Sequence, residues 1–228
     1  MNNPSTVDYG AFKFKYNWLE SHVTHAPTKI TSKGKIWEKK LFDLYSTLIT
    51  NEDNVIDCGS YIGTHTLPFS HFAKTVYAFE PNTEIYKILK SNIELNNRSN
   101  IFSYCIGISN KEGQISFDNR SDGTSRIFKH KVKGNISTIE TVKLDNFLSH
   151  LKNLKLIKID CENHEFETLE GCSNLIKLFK PYILIECYRY KRDKLKSWCI
   201  DNNYKLNWLR GADFFLYHQS NIDDIVTL

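Results

Sequence analysis

The chain has 228 residues, of which 41% are hydrophobic, and its formal net charge is +4. This length and apolar content fit one folded α/β domain with its own core and exclude a disordered chain. The positive excess is small and forms no dense basic stripe, which argues against nucleic acid as a partner.

The cysteines and the amino terminus indicate the compartment. None of the six cysteines forms a Cys-x-x-Cys pair, so we expect free thiols and no zinc site. The first residues lack the basic and apolar regions of a signal peptide, and no apolar run reaches transmembrane length. These features predict a cytoplasmic protein that does not enter a membrane.

The amino-terminal half begins with aromatic residues and continues as alternating strands and helices. Residues 1–34 are predicted to be an irregular, aromatic-rich extension that either covers hydrophobic surface or forms one wall of a substrate pocket, and residues 35–228 a single domain. Hydrophobic periodicity predicts a helix over 35–49, strands at 55–57, 76–80 and 101–105, and helices over 64–72 and after the capping residue Asn82. From Gly107 to Val142 the helical period is lost, which predicts one or two inserted β-hairpins.

The α/β pattern resumes in the second half of the chain. It predicts strands at 154–160, 182–187, 204–208 and 213–217, one helix from Phe166 to Phe179 and another over 192–202. The predicted fold is a doubly wound, Rossmann-like sheet of seven mostly parallel strands with an inserted hairpin region. Ligands of such sheets bind at the carboxyl ends of the strands.

The segment from Val55 to Gly63 is typical of a strand, a tight turn and a helix N-terminus. Its apolar run ends at Asp57, and Gly59 and Gly63 let a nucleotide-like ligand approach the backbone. Glu80 ends the next apolar run about twenty residues after Gly59, where an acid binds a ribose hydroxyl in a βαβ unit. The pattern Asp-x-Gly-x-x-x-Gly is not that of a dinucleotide site and favours a smaller adenosine ligand.

Four predicted strands end in acids, namely Asp57, Glu80, Asp160 and Glu186. The carboxyl ends of parallel strands line one crevice, and buried carboxylates need partners. We therefore expect a functional crevice rather than a solvated surface. An acid-lined crevice suits a cationic ligand.

Together these features describe the S-adenosylmethionine site of a class I methyltransferase. Over about residues 50–190 the chain resembles the FkbM-type methyltransferases. The resemblance rests on five segments in this order and spacing: VIDCGSYIGTHT at 55–66, VYAFEPN at 76–82, DGTS at 122–125, KLDNFL at 143–148 and LIKIDCENHE at 156–165.

The resemblance implies an O-methyltransferase that uses S-adenosylmethionine and acts on a small molecule or glycan, often at a sugar hydroxyl. It implies that Gly59 and Gly63 approach the methionine moiety, that Thr66 donates a hydroxyl and that Glu80 holds the ribose diol. The other candidate cofactor residues are Cys105, Ile106 and Gly107 beside adenine, Ser125 near the cofactor, and Asp57, Ser60, Tyr61, Pro81, Asn82 and Asp160.

The chain departs from the family pattern at two places. Tyr61 stands where the family usually has Asn, and Asn163 and His164 follow Asp-x-Glu where the family has Gly and a small residue. The second departure alters the region where the acceptor should bind.

Methyl transfer to a sugar hydroxyl needs alignment of the reactants and benefits from a general base. His164 is the first candidate, because an imidazole titrates near neutral pH and His164 follows the Asp160 strand end. It could equally be a water-exposed neighbour of a helix cap. Asp160 and Glu186 are the alternative bases. Asp160, Glu162 and His164 could hold a divalent ion, although the spacing does not require one.

Three other functions fit parts of the pattern. An RNA ribose 2′-O-methyltransferase could use Asp160 and Glu186, but no lysine partner for them is apparent and the basic excess is weak. A non-catalytic module of the same fold would show a damaged cofactor site, whereas Asp57, Gly59 and Glu80 are present. The glycine pattern argues against a nicotinamide oxidoreductase.

Overall fold

The computed structural model of the chain describes residues 4–118, 126–127 and 136–221. Its amino-terminal part is not irregular, as the sequence predicted, but an antiparallel hairpin followed by short helices. The elements are β1 (Ser5–Asp8), β2 (Lys13–Tyr16), a 3-10 turn (Glu20–His22), α1 (Ala26–Thr31) and α2 (Lys39–Leu48). Alternate hairpin residues such as Val7, Phe14 and Tyr16 are buried in the same apolar cluster as Leu41 of α2. The division into an extension and a domain at residue 35 stays a prediction.

The first half of the main fold alternates strands and helices as predicted. It comprises β3 (Asn54–Cys58), α3 (Thr66–Phe72), β4 (Thr75–Phe79), α4 (Thr83–Leu95) and β5 (Ile101–Tyr104). Asn82 caps α4, since its side chain accepts hydrogen bonds from the backbone N–H groups of Glu84 and Ile85 at 3.0 and 3.2 Å. This cap fixes the chain just after the end of β4.

The insertion predicted between Gly107 and Val142 is a separate small sheet. Its strands are β6 (Gly107–Ile108), β7 (Gly113–Asp118), β8 (Arg126–Ile127) and β9 (Ile136–Val142), in the order β6-β9-β7-β8. A single helical turn, α5 (Leu144–Phe147), leads back to the main sheet.

The last part of the chain completes the main sheet. Its elements are β10 (Leu156–Ile159), α6 (Glu165–Gly171), α7 (Ser173–Phe179), β11 (Tyr182–Glu186), α8 (Arg192–Asp201), β12 (Tyr204–Arg210) and β13 (Asp213–His218). The prediction of a single helix from Phe166 to Phe179 was wrong, because the structure has two helices that meet at Cys172. There Gly171 passes so close to the Ser109 backbone that a Cβ would lie 2.1 Å from its carbonyl oxygen.

The main sheet has seven strands in the order β12-β13-β11-β10-β3-β4-β5. Strands β11, β10, β3, β4 and β5 are parallel, and β13 joins β11 and β12 antiparallel. The predicted Rossmann-like fold is therefore confirmed. Ile56 and Ile157 pack in one apolar cluster and Val55 and Leu156 in another, since neighbouring residues of a strand point to opposite faces.

The carboxyl ends of β4, β3 and β10 lie side by side at one edge of the sheet. This edge is where parallel sheets place their ligands. In the described ranges, no helix is both long enough and apolar enough to cross a membrane.

Candidate active site

A cavity of about 840 Å³, including space open to solvent, lies at the carboxyl ends of β3, β4 and β10. Its Glu80 end is lined by Glu80, Pro81, Ile106 and Gly107, and its Asp160 end by Lys158, Asp160 and Glu162. Eight sequence-predicted cofactor residues line it: Gly59, Ser60, Tyr61, Glu80, Pro81, Ile106, Gly107 and Asp160.

The glycine turn after β3 lies between the two ends. Gly59 has a φ of +83°, and a Cβ on it would lie 1.8 Å from the carbonyl oxygen of Asp160. The N–H groups of Gly59 and Ser60 both donate to the carbonyl of Phe79 at 3.0 Å. Only glycine allows this close contact between the turn and the end of β10.

Glu80 is buried and its carboxylate is held by the backbone on both sides. Its two oxygens accept the N–H groups of Tyr61 and Asn82, each at 2.9 Å. Burial raises the pKa of Glu80 to about 7, although the two N–H donors oppose the shift. A carboxylate has about four acceptor positions, so acceptor capacity remains for a diol in the cavity.

Beside Glu80 the cavity has a mainly apolar slot. Phe79, Ile106, Ile108 and Phe117 line it, and they come from β4, from the loop after β5, from β6 and from β7. Flat apolar walls next to a polar anchor suit a heteroaromatic ring. Ser125, which the sequence assigned to the cofactor, lies outside the described residues.

Five further predicted cofactor residues lie behind the lining and do not contact the cavity: Asp57, Gly63, Thr66, Asn82 and Cys105. Thr66 is fully buried, and its hydroxyl donates to Asp57 at 2.6 Å. Asn82 caps α4, while the thiol of Cys105 lies 3.8 Å from the Thr83 hydroxyl. In this structure these residues support the turn and the helix that line the cavity.

Lys158 is a buried cation that the sequence analysis missed. Its Nζ lies 3.3 Å from Asp160 and 3.7 Å from Asp57, whose Oδ1 has no hydrogen-bond partner among the described residues. Burial lowers the pKa of Lys158, but Asp160 and Asp57 outweigh it, and the pKa lies above its usual value. The sequence signal was a single lysine in an apolar strand, two residues before Asp160, which places both side chains on one face.

A smaller recess adjoins the Asp160 end. It shares Lys158 and Asp160 with the cavity and is also lined by Glu38, Glu186 and Asp213. Burial, and then the nearby Asp160 and Glu162, raise the pKa of Glu186 to about 9. Glu186 therefore holds a proton more tightly than an ordinary glutamate does.

His164 was the first sequence candidate for a general base, and the structure does not support this assignment. Its side chain is buried and lines neither the cavity nor the recess. Its Nε2 is 2.9 Å from the Ser109 hydroxyl and its Nδ1 is 3.8 Å from Glu167. The preceding Glu162 and Asn163 have left-handed φ values of 48° and 79°, so the chain turns sharply before His164.

The weak metal candidates Asp160, Glu162 and His164 do not come together either. Within the described residues, no group of three or more His, Cys, Asp or Glu side chains is placed to hold a metal ion. The bond from His164 to Ser109 keeps its Nε2 away from the two acids.

The departures from the family pattern coincide with special backbone geometry. Tyr61 and Asn163 both have left-handed φ values, of 50° and 79°. Asn and Gly, which the family pattern has there, are the residues that adopt this geometry most readily. The Tyr61 hydroxyl hydrogen-bonds with Thr28 at 2.8 Å and with His22 at 3.1 Å, which ties the turn to the amino-terminal segment.

That segment also contributes to the cavity. His25, Pro27 and Trp37, here called the N-terminal wall, line it together with the glycine turn. The sequence left open whether residues 1–34 cover hydrophobic surface or form one wall of a pocket, and His25 and Pro27 of that stretch do line the cavity, as does Trp37 just beyond it.

Comparisons with known proteins agree with this geometry. AglP, a hexuronic acid methyltransferase from Haloferax volcanii, is 30% identical over 140 residues, which cover 60% of this chain and 57% of AglP. The crystal structure of the methyltransferase FkbM from Methylobacillus flagellatus superposes with a TM-score of 0.55 and 17% identity, over 88% of this chain and 56% of that chain.

A Streptococcus mutans protein solved in complex with SAH has a TM-score of 0.50 and 12% identity, over 78% of this chain and 94% of that chain. The two structural matches show the fold alone. The chain spans little more than half the length of AglP and of the Methylobacillus protein.

The family assignment rests on the part of the chain that builds the sheet and the cavity. The family model for the methyltransferase FkbM domain matches residues 57–216, which is more than half of the chain and includes Asp57, Glu80 and Asp160. The chain belongs to the FkbM family of methyltransferases.

Proposed function

We propose that the chain is an S-adenosylmethionine-dependent O-methyltransferase that acts on a hydroxyl of a sugar or glycan. One observation carries this proposal: a single cavity holds the buried carboxylate Glu80 at one end and the ion pair of Lys158 with Asp160 at the other. The first suits a ribose diol and the second suits a hydroxyl that loses a proton.

The residues at the Glu80 end fit the adenosine part of this cofactor. Glu80 accepts the ribose hydroxyls with its remaining lone pairs, and the slot formed by Ile106, Ile108 and Phe117 takes the adenine ring. Gly59 and Ser60 of the glycine turn line the cavity between its two ends, where the methionine part would lie. S-adenosylmethionine supplies a methyl group that its sulfonium already activates.

Asp160 is the proposed general base. It lines the cavity, its side chain is 41% exposed, and Lys158 holds its carboxylate at 3.3 Å. The acceptor hydroxyl gives its proton to this carboxylate as the oxygen takes the methyl group. Neither Glu186 nor His164 lines the cavity, so neither competes for this role.

The sugar acceptor is supported by the relative AglP, whose name states a hexuronic acid as substrate. It is also supported by the Asp160 end, where the carboxylates of Asp160 and Glu162 can accept hydroxyl hydrogen bonds. An RNA acceptor is less favoured. Lys158 would serve that chemistry, but it is buried among acids, which repel a polyanion.

The test is calorimetric titration of the purified chain with S-adenosylmethionine and, in parallel, with NAD. Micromolar binding of the first and none of the second supports the cofactor assignment. Labelled methyl transfer to a panel of methyl pyranosides, with a short RNA as comparison, then tests the acceptor. If a folded chain does not bind S-adenosylmethionine, the proposal fails and a non-catalytic binding module takes its place.

A further inference from the structure

The N-terminal wall reaches the cavity from outside the part of the chain that defines the family. His25, Pro27 and Trp37 line the cavity, whereas the family match begins at residue 57. This wall therefore lies outside the residues that the family model matches.

Trp37 lies on the Asp160 side of the cavity. The guanidinium of Arg210, which precedes β13, lies 5.7 Å from the centre of its indole ring. The next residue, Glu38, lines the recess together with Lys158 and Asp160. The adenine slot, by contrast, comes from β4 to β7 at the opposite end.

The backbone next to Trp37 is held firmly. The Glu38 carboxylate is buried, lies 3.2 Å from Nε2 of His65 and forms an ion pair with Arg210. Nδ1 of His65 in turn lies 2.7 Å from the Tyr45 hydroxyl. These contacts fix the residue that follows Trp37, and the Arg210 guanidinium lies over the indole itself, so less freedom is lost when a ligand binds.

A pyranose ring has an apolar face of C–H groups and a rim of hydroxyls. A half-buried indole that lines the same cavity as the carboxylates of Asp160 and Glu162 suits both, since the ring can cover the apolar face while the carboxylates accept the hydroxyls. We propose that Trp37 is the acceptor-binding platform of this enzyme, on which a pyranose ring stacks while its hydroxyl faces Asp160.

This proposal rests on the proposed function and deepens it by naming the residue that recognises the acceptor. The test uses the full chain, the methyl pyranoside that it methylates best, and the variants Trp37→Ala, Trp37→Leu and Trp37→Phe. The matched control is Trp208→Ala, because Trp208 is 62% exposed and outside the cavity lining.

Trp37→Ala should raise KM for the sugar by about 5- to 50-fold while kcat stays within about threefold. Trp37→Leu keeps apolar bulk without a ring and should also raise KM, whereas Trp37→Phe should restore most of the affinity. The Kd for S-adenosylmethionine should be unchanged in all variants, which also shows that they are folded. Trp208→Ala should behave as the wild type.

Two results would overturn the proposal. If the wild type methylates a sugar and both Trp37→Leu and Trp37→Phe keep its KM within about twofold, the platform is wrong and the proposed function stands. If the wild type binds S-adenosylmethionine but methylates no sugar, the sugar acceptor and the platform fail together.

Discussion

The two ends of the cavity are built in different ways. The Glu80 end comes from consecutive elements, β3 to β7, and its polar groups are held by local backbone bonds such as those to Glu80. The Asp160 end brings Trp37 from the amino-terminal segment to Lys158 and Asp160 at the end of β10. The strand-end acids at both ends can be recognised in a sequence, whereas the partner that a distant segment contributes is seen in the structure.

The largest effect should follow from changing the glycine that joins the two ends. Gly59→Ala places a Cβ 1.8 Å from the Asp160 carbonyl and strains a φ of +83°. We expect the unfolding free energy, measured by urea denaturation, to fall by about 2–5 kcal/mol. Cofactor binding, measured by calorimetry, should be lost as well. Gly10→Ala is the control, because Gly10 has a φ of +91° with nothing within 4 Å of its Cβ position. Equal losses of stability in Gly59→Ala and Gly10→Ala would contradict the importance of the contact between Gly59 and Asp160.

The next effect separates chemistry from cofactor binding. Asp160→Asn removes the proton acceptor and should lower kcat by about 10²–10⁴-fold while the Kd for S-adenosylmethionine stays within about threefold. Single-turnover methyl transfer measures the first and calorimetry the second. Asp193→Asn, in a side chain that is 98% exposed, is the control. Near-normal turnover in Asp160→Asn would remove Asp160 from the mechanism.

The role of Glu80 in cofactor binding can be tested through the pH dependence of that binding. Burial raises the pKa of Glu80 to about 7, so the free protein is protonated there at lower pH, and only the ionised form accepts both ribose hydroxyls. We expect the Kd for S-adenosylmethionine to fall as pH rises from about 6 to 8, with proton release on binding. Glu80→Gln should weaken binding by about 1–3 kcal/mol and abolish this pH dependence.

Calorimetry in buffers of different ionisation enthalpy measures that proton release. Glu84→Gln is the control, since Glu84 is an exposed acid at the start of α4. An unchanged pH profile in Glu80→Gln would assign the titration to another group.

The smallest effect concerns the tie between the turn and the amino-terminal segment. Tyr61→Phe deletes the hydroxyl that bonds with Thr28 and His22 and should cost about 1 kcal/mol of unfolding free energy. Denaturant midpoints measure the loss, with the exposed Tyr190→Phe as control. We also expect KM for the acceptor to rise more than the Kd for S-adenosylmethionine. A larger rise in the Kd for S-adenosylmethionine than in the KM for the acceptor would link Tyr61 to the cofactor alone.

The sequence predicted the seven-stranded sheet, the Asn82 cap and the Glu80 end because each depends on short-range pattern. It missed Lys158 as a functional residue because the sequence does not show that this lysine is buried between Asp160 and Asp57 of the neighbouring strand. It favoured His164 because this residue is close to Asp160 in the sequence. The left-handed turn at Glu162 and Asn163, which lies between them, could not be seen there. Helix periodicity likewise could not reveal the break at Cys172, beside the close contact of Gly171 with the Ser109 backbone.

The contact between Gly59 and Asp160 has a consequence for how such enzymes diversify. It joins main chain to main chain, so the spacing between the turn and the end of β10 does not depend on any side chain. An acceptor of another size must then be accommodated elsewhere, and the N-terminal wall is the part of the cavity that lies outside the family match. Exchange of this wall would give related enzymes new acceptors while the cofactor turn stays the same.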